Sequence, residues 1–271
     1  MPTEKMPAGK NPAPKNPSTS ADFRALLKTR KPLPTAWLGL GSSLVVETVA
    51  DAGWPAVVID QQHGAGGNTE LLACLTAARA AHVPALVRIA HLDTGLIGRA
   101  LDAGAQGVIV PMIDTAEDAA RLVQAAKFPP LGGRSFGPYR GKFLIEGDYV
   151  EAANAWTIAC GQIETKRAVE NVDAICAVEG LDMICLGPND LALSLSNGRH
   201  RDIRAKEVRE AIAHVHARAT AAGVITFIFA NDAEYAREMA RMGWQSLAIG
   251  TDANWLSAIA AQMLPQDLSS D

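Results

Sequence analysis

Two acidic side chains close short apolar runs in the second half of this chain: Glu164 ends Gly161-Gln162-Ile163-Glu164, and Asp190 follows Leu186-Gly187-Pro188-Asn189. If those runs are neighbouring strands, two carboxylates meet at close range and repel each other unless one is protonated or a cation lies between them. Oxygen-only protein ligands suit Mg²⁺ or Mn²⁺, with Co²⁺ also admissible, and they leave positions open for water and substrate. The plainer alternative makes Glu164 an N-terminal acid of the next helix and Asp190 the N-cap of the segment starting at Leu191. Further polar residues stand in equivalent places. Asp60 closes Val58-Ile59-Asp60, with Gln61, Gln62 and His63 beyond it, and Arg88 closes Leu86-Val87-Arg88. A guanidinium at the end of an interior run needs a partner, so Arg88 either pairs with a carboxylate as structure or faces a substrate oxygen that becomes negative. His63 could be oriented by Asp60 through one ring nitrogen, leaving the other to move protons; otherwise it is an incidental loop histidine.

These residues act together only if the fold gathers them, and the pattern of the chain predicts how. Short β-branched runs alternate with Ala-rich segments from residue 36 onward, as in βα units with a parallel sheet. The runs are 36–40, 56–60, 85–89, 107–111, 158–164, 183–187, 225–230 and 246–250, with helices between them such as 43–52, 69–81, 95–103, 115–126, 205–222 and 232–241. Gly53, Gly104, Gly223 and Gly243 follow helices, where a left-handed C-terminal cap is wanted. Eight strands with helical crossovers predict an α/β fold of the (β/α)₈ TIM-barrel type, in which residues at the C-terminal strand ends converge on one mouth. Gly39-Leu40-Gly41-Ser42 is a mere fragment of a dinucleotide fingerprint, so no NAD is expected. The Gly-rich stretch from Pro129 to Ala155 is expected to be a functional loop on the mouth side.

Composition narrows the partners. With 271 residues, 48% of them hydrophobic, the chain suits one α/β domain over 22–271. A net charge of −4 offers no basic field for nucleic acid, and small-molecule ligands are expected. No apolar run approaches the ~20 residues that span a bilayer. Residues 1–21 form a Lys-, Pro- and Ser-rich tail expected to be disordered, with neither a secretory nor a transit pattern, so the cytoplasm is the expected location. Cys74, Cys160, Cys176 and Cys185 fall in helices or strands without a C-x-x-C pair and read as buried, reduced thiols, with a reactive or metal-binding role as the alternative.

At these residues the sequence resembles the HpcH/HpaI family of class II pyruvate aldolases, from Trp37 to about Leu256. The resemblance is carried, in order, by AGWPAVVIDQQHG, the Arg of ALVRI, GVIVPMIDTAEDA, GGRSFGPYR, GQIETKRAVEN, LGPNDLALSL and IFANDAEYAREMARMGWQSLAIGTDANWL. It implies that Glu164 and Asp190 bind a divalent metal, with Gln162 nearby, and that a 2-oxo acid chelates the metal through carboxylate and keto oxygens. Backbone amides around Asn189 and Asp190 would hold the carboxylate, and Arg88 would donate to the enolate oxygen. His63, oriented by Asp60 and working with a metal-bound water, would move the proton of the aldehyde oxygen. Trp37 matches an aromatic position lining the aldehyde pocket, or else is a core residue at the barrel bottom. Many family members carry D-x-E-H where this chain has Asp60-Gln61-Gln62-His63, so an acid is replaced by the amide of Gln62. Neither Lys142 nor Lys166 is placed as a Schiff-base lysine, and no PLP is expected. The implied reaction is reversible cleavage of 4-hydroxy-2-oxo acids to pyruvate, or hydroxypyruvate, and an aldehyde. Alternatives are the same chemistry on phosphoenolpyruvate or an acyl-CoA thioester, or a non-catalytic metabolite-binding barrel. The resemblance also implies a homo-oligomer, a hexamer built from swapped dimers through the apolar segment 251–264.

Overall fold

The computed structural model describes residues 22–29, 32–145 and 147–265; the tail expected over 1–21 lies outside them. Eight parallel strands close into a barrel in sequence order: β1 (Leu33–Leu38), β2 (Val57–Asp60), β3 (Ala85–Arg88), β4 (Gly107–Val110), β5 (Ile158–Ile163), β6 (Met183–Leu186), β7 (Ile225–Ala230) and β8 (Ser246–Thr251). The expected runs all form strands, although β1 begins three residues early and stops at Leu38, because Leu33 and Thr35 pair with β8. No helix among the described residues is long and apolar enough to cross a membrane.

Side chains alternate across each strand, and here both faces are apolar, as a parallel sheet covered by helices requires. Val57, Val87, Val108, Ala159, Ile184 and Ile228 belong to the layer between barrel and helices. Trp37, Val58, Leu86, Ile109, Cys160, Cys185, Phe227 and Ala248 fill the barrel itself. The same parity points the next residue but one toward the mouth: Asp60 after Val58, Arg88 after Leu86, Gln162 after Cys160, Phe229 after Phe227. A short helix not foreseen from the sequence, Phe23–Thr29, plugs the opposite end, with Phe23 and Leu27 joining the interior cluster. Burying Phe23 completely is worth about 1.5–3 kcal/mol.

Gly53, Gly104, Gly223 and Gly243 all take positive φ after their helices, as expected. All four cysteines are free and buried, and burial pushes their thiols up, Cys176 to about 11. They are the inert core thiols expected rather than nucleophiles.

The Pro129–Ala155 stretch departs from expectation. It follows a helix, Ala116–Ala126, that has already returned the chain to the N-terminal end of the strands. It therefore packs at the end opposite the mouth: Arg134 N–H donates to the Lys127 carbonyl, Arg140 N–H to the Asp102 carbonyl and the Arg140 guanidinium to the Ala103 carbonyl. Its second half is a helix, Tyr149–Trp156, that leads into β5.

Candidate active site

A cavity of about 440 Å³ opens at the C-terminal ends of the strands, within the range of small-molecule sites. Trp37, Asp60, His63, Arg88, Gln162, Asn189 and Asp190 all line it, so residues far apart in the sequence meet at one mouth as the strand-end rule predicts. Its apolar floor is Trp37, held edge-on against Phe229 with ring centroids 5.5 Å apart, and 3% exposed. Trp37 is thus part of the cavity and not of the barrel bottom.

Asp60 and Arg88 are direct cross-strand partners in the β2–β3 register. The guanidinium clamps the carboxylate with two hydrogen bonds, Nε to Oδ1 at 2.9 Å and Nη2 to Oδ2. The Trp37 indole N–H donates to Oδ2 at 3.2 Å, and the backbone N–H groups of Gln62 and His63 donate to Oδ1 at 2.9 and 3.3 Å. Burial alone would raise the Asp60 carboxyl, but Arg88 and these other donors outweigh it and hold it below its ordinary value. The expectation that Asp60 orients the His63 imidazole is corrected here. The carboxylate grips the main chain of His63, because a turn of three residues aims N–H groups, not the ring, back at Asp60; the ring stands exposed at the lip. Among the described residues no hydrogen bond engages Arg88 Nη1, the guanidinium nitrogen left over for a ligand. Of the two things the sequence left open, Arg88 does the first, pairing with a carboxylate, and its Nη1 stays outside that pair.

Glu164 is 3% exposed. Its Oε1 accepts the Met112 N–H at 2.9 Å and its Oε2 accepts Gln162 Nε2. Met112 takes φ +56 to make this bond, an uncommon conformation for a side chain without local hydrogen bonding. The following helix, Lys166–Glu170, is capped by Thr165, so Glu164 is not its N-terminal acid. Asp190 lies within the first turn of the helix Pro188–Leu195, whose N-cap is Gly187, so Asp190 is not the cap either. Burial raises the Glu164 carboxyl, the Met112 N–H opposes this, and the Asp190 charge raises it further.

A divalent cation fits these residues. Glu164 is a buried acid whose charge is disfavoured by its surroundings and by a second carboxylate, a conflict that a cation removes. Gly187 leaves the space: a Cβ there would lie 2.8 Å from Glu164 Oε2. Among the described residues no group of three or more His, Cys, Asp or Glu converges, so two carboxylates would hold the ion with positions left open, as Mg²⁺ and Mn²⁺ sites commonly do.

The structure adds residues that the sequence reading passed over. Asp252 is 4% exposed and accepts the backbone N–H groups of Gly39 and Leu40 at 2.8 and 3.1 Å, tying the last helix to the loop after β1 at the cavity rim. It stands immediately after β8, so the rule that found Glu164 and Asp190 would have found it. Phe229 lines the wall through the parity of β7.

Residues 35–258 match the HpcH/HpaI aldolase/citrate lyase family. The hydroxypyruvate/pyruvate aldolase of Rhizorhabdus wittichii is 36% identical over 234 residues, 86% of this chain and 93% of its own. The 5-keto-4-deoxy-D-glucarate aldolase of Salmonella gallinarum is 34% identical over 85% of this chain and 90% of its own. Among solved structures, an HpcH/HpaI aldolase/citrate lyase family protein from Burkholderia cenocepacia superposes with a TM-score of 0.81 at 36% identity, covering 89% of this chain and 95% of that one.

Proposed function

Because the chain belongs to the HpcH/HpaI aldolase/citrate lyase family, we propose that it is a metal-dependent aldolase that reversibly joins pyruvate, or a close analogue, to an aldehyde, forming a 4-hydroxy-2-oxo acid. The observation that carries the reading is the arrangement of charge at one mouth: a guanidinium locked by Asp60 with Nη1 left over and the acid Asp190 line the cavity, and the buried acid Glu164 lies directly behind its lining residues Gln162 and Gly187. A divalent ion bound by Glu164 and Asp190 would supply Lewis acidity toward a keto oxygen.

The remaining roles belong to the chain itself. Arg88 Nη1 donates to the oxygen that gains negative charge as the methyl carbon loses its proton, an interaction stronger in the transition state than in the ground state. Asp60 keeps that guanidinium in place, so little reorganisation is needed during reaction. The backbone N–H groups at the start of the helix Pro188–Leu195 receive the substrate carboxylate, favoured there by the helix dipole. His63 at the lip exchanges a proton with the aldehyde oxygen. Trp37 and Phe229 keep the floor dry, strengthening each polar contact above them.

The last helix, Asp252–Met263, supports an oligomer as part of the same reading. Asp252 is its sole buried residue, while Leu256, Ile259 and Met263 are exposed. An exposed apolar stripe marks a contact surface; we take its partner to be another copy of the chain, in a hexamer built from swapped dimers.

NMR observation of proton exchange at the pyruvate methyl group tests the function. Exchange in deuterated buffer with Mg²⁺ or Mn²⁺, abolished by EDTA, is the expected result. Absence of exchange with every divalent ion tried would overturn the proposal.

A further inference from the structure

The His63 imidazole is exposed, and no hydrogen bond holds its ring among the described residues. Where its nitrogens stand is therefore set by the main chain that carries them. Asp60 pins that chain on one side, through the N–H groups of Gln62 and His63. On the other side the Ala65 N–H donates to the Gly39 carbonyl at 2.8 Å. Gly64 turns the corner so tightly that a Cβ there would collide with the Asp60 carbonyl and stand 3.0 Å from the Gly39 carbonyl oxygen. Gly39 is held in turn by Asp252. The Gly39 N–H donates to its Oδ1 at 2.8 Å, the Leu40 N–H to Oδ2 at 3.1 Å and the Ala253 N–H to Oδ1 at 2.9 Å. Asp252 lines the cavity at 4% exposure, and no cation pairs with it among the described residues. A buried carboxylate without a counter-ion is costly, and these three donors offset the cost. Helix capping does not account for it, because Thr251 already caps the helix by accepting the Asn254 N–H.

We propose that Asp252 is a positioning residue for His63: by fixing the loop after β1 it fixes the far half of the turn after β2, and so sets where the imidazole meets the aldehyde oxygen. The inference rests on the aldolase reading above, in which His63 serves the aldehyde oxygen while Arg88, Glu164 and Asp190 serve the enolate. Those three stand on β3, after β5 and after β6. The bonds from Asp252 through Gly39 to Ala65 link instead the segments after β8, β1 and β2. Loss of Asp252 therefore impairs making and breaking the carbon–carbon bond and spares enolate formation. A displacement of the order of 1 Å at a group that moves a proton is enough to cost roughly 100-fold in rate.

The experiment follows two readouts in each variant with Mn²⁺ present: cleavage of 4-hydroxy-2-oxopentanoate to pyruvate and acetaldehyde, and proton exchange at the pyruvate methyl group. Asp252→Asn keeps the shape and strands one N–H, and should lower kcat for cleavage roughly tenfold; Asp252→Ala should lower it roughly 100-fold. KM and methyl exchange should stay near the wild-type values in both. In a His63→Ala background Asp252→Asn should change cleavage by less than about twofold, since no ring is left to place. Gly66→Ala approaches the same contact from the other side with Asp252 intact, because its Cβ would lie 3.0 Å from Gly41 Cα and press the two loops apart. It should show the same division between cleavage and exchange, and it carries the test if Asp252→Ala does not fold. Cleavage and exchange falling together, unchanged cleavage, or an Asp252→Asn effect that persists without His63 would each overturn the inference. Failure of wild-type protein to exchange or to cleave would instead refute the aldolase reading.

Discussion

Replacing Gly187 with alanine is a sharp test of the site, because it adds one carbon and little else. Gly187 sits at φ −97, ψ 92, a backbone conformation open to any residue, so the substitution carries no torsional penalty. The new Cβ would lie 2.8 Å from Glu164 Oε2, 3.1 Å from Gln162 Nε2 and 3.2 Å from Glu164 Cβ. Ordinary contact begins near 3.4 Å, so the carboxylate is short of room by about 0.6 Å. Glu164 and Gln162 are each 3% exposed and cannot swing into solvent. The strain falls on their mutual hydrogen bond. Overpacking of this degree costs about 1–3 kcal/mol, and disturbing the support of a metal ligand weakens the metal roughly 10- to 100-fold. Urea denaturation in EDTA measures the first effect, and titration with Mn²⁺ followed by electron paramagnetic resonance measures the second. Gly98→Ala serves as control: its Cβ meets nothing within 4 Å in the helix Thr94–Asp102, and it should stabilise by about 0.5–1 kcal/mol. If Gly187→Ala bound Mn²⁺ as tightly as the parent protein, Glu164 would not be the ligand supposed here.

Arg88→Ala strands the buried Asp60 carboxylate, and should cost about 3–5 kcal/mol in urea unfolding together with roughly 10²–10³ in pyruvate proton exchange. The double change Asp60→Asn with Arg88→Met should recover much of the stability and none of the exchange; recovered exchange would remove Arg88 from the chemistry. Because Asp60 is held below its ordinary carboxyl value of 3.8 in the folded chain, its contribution is complete above that pH and drains away as pH falls below it. The stability gap between wild type and Asp60→Asn should therefore narrow on acidification below about 3.8; a gap that is constant there would contradict the assignment. Leu256→Glu combined with Ile259→Glu places charge on the exposed stripe of the last helix and should reduce the mass seen by light scattering, whereas an unchanged mass would locate the contact elsewhere.

Much of the site was legible because a barrel turns sequence position into spatial position. Parity alone carries Asp60, Arg88 and Gln162 to the inner face two residues above Val58, Leu86 and Cys160, and all three line the cavity. The Pro129–Ala155 stretch obeys the same logic: counting from β4 through the helix Ala116–Ala126 puts it at the far end, and its Gly-rich composition alone does not say which end it occupies. Asp252 directly follows β8 and falls under the same strand-end rule. The plug helix Phe23–Thr29 falls outside it, since seven residues hold too few turns for helical periodicity to show.

Periodicity and residue type thus determined that eight strands form, which face each side chain takes and which polar groups reach the mouth. What they left undecided was who holds whom. Three residues of separation favoured Asp60 with His63, yet barrel closure made Arg88, twenty-eight residues away, the cross-strand neighbour of Asp60, while the tight turn offered His63's backbone in place of its ring. Pairing depends on register and on the path of a turn, and both are settled only when the strands have closed on one another, because a local sequence constrains torsions and not the identity of the neighbour across the sheet.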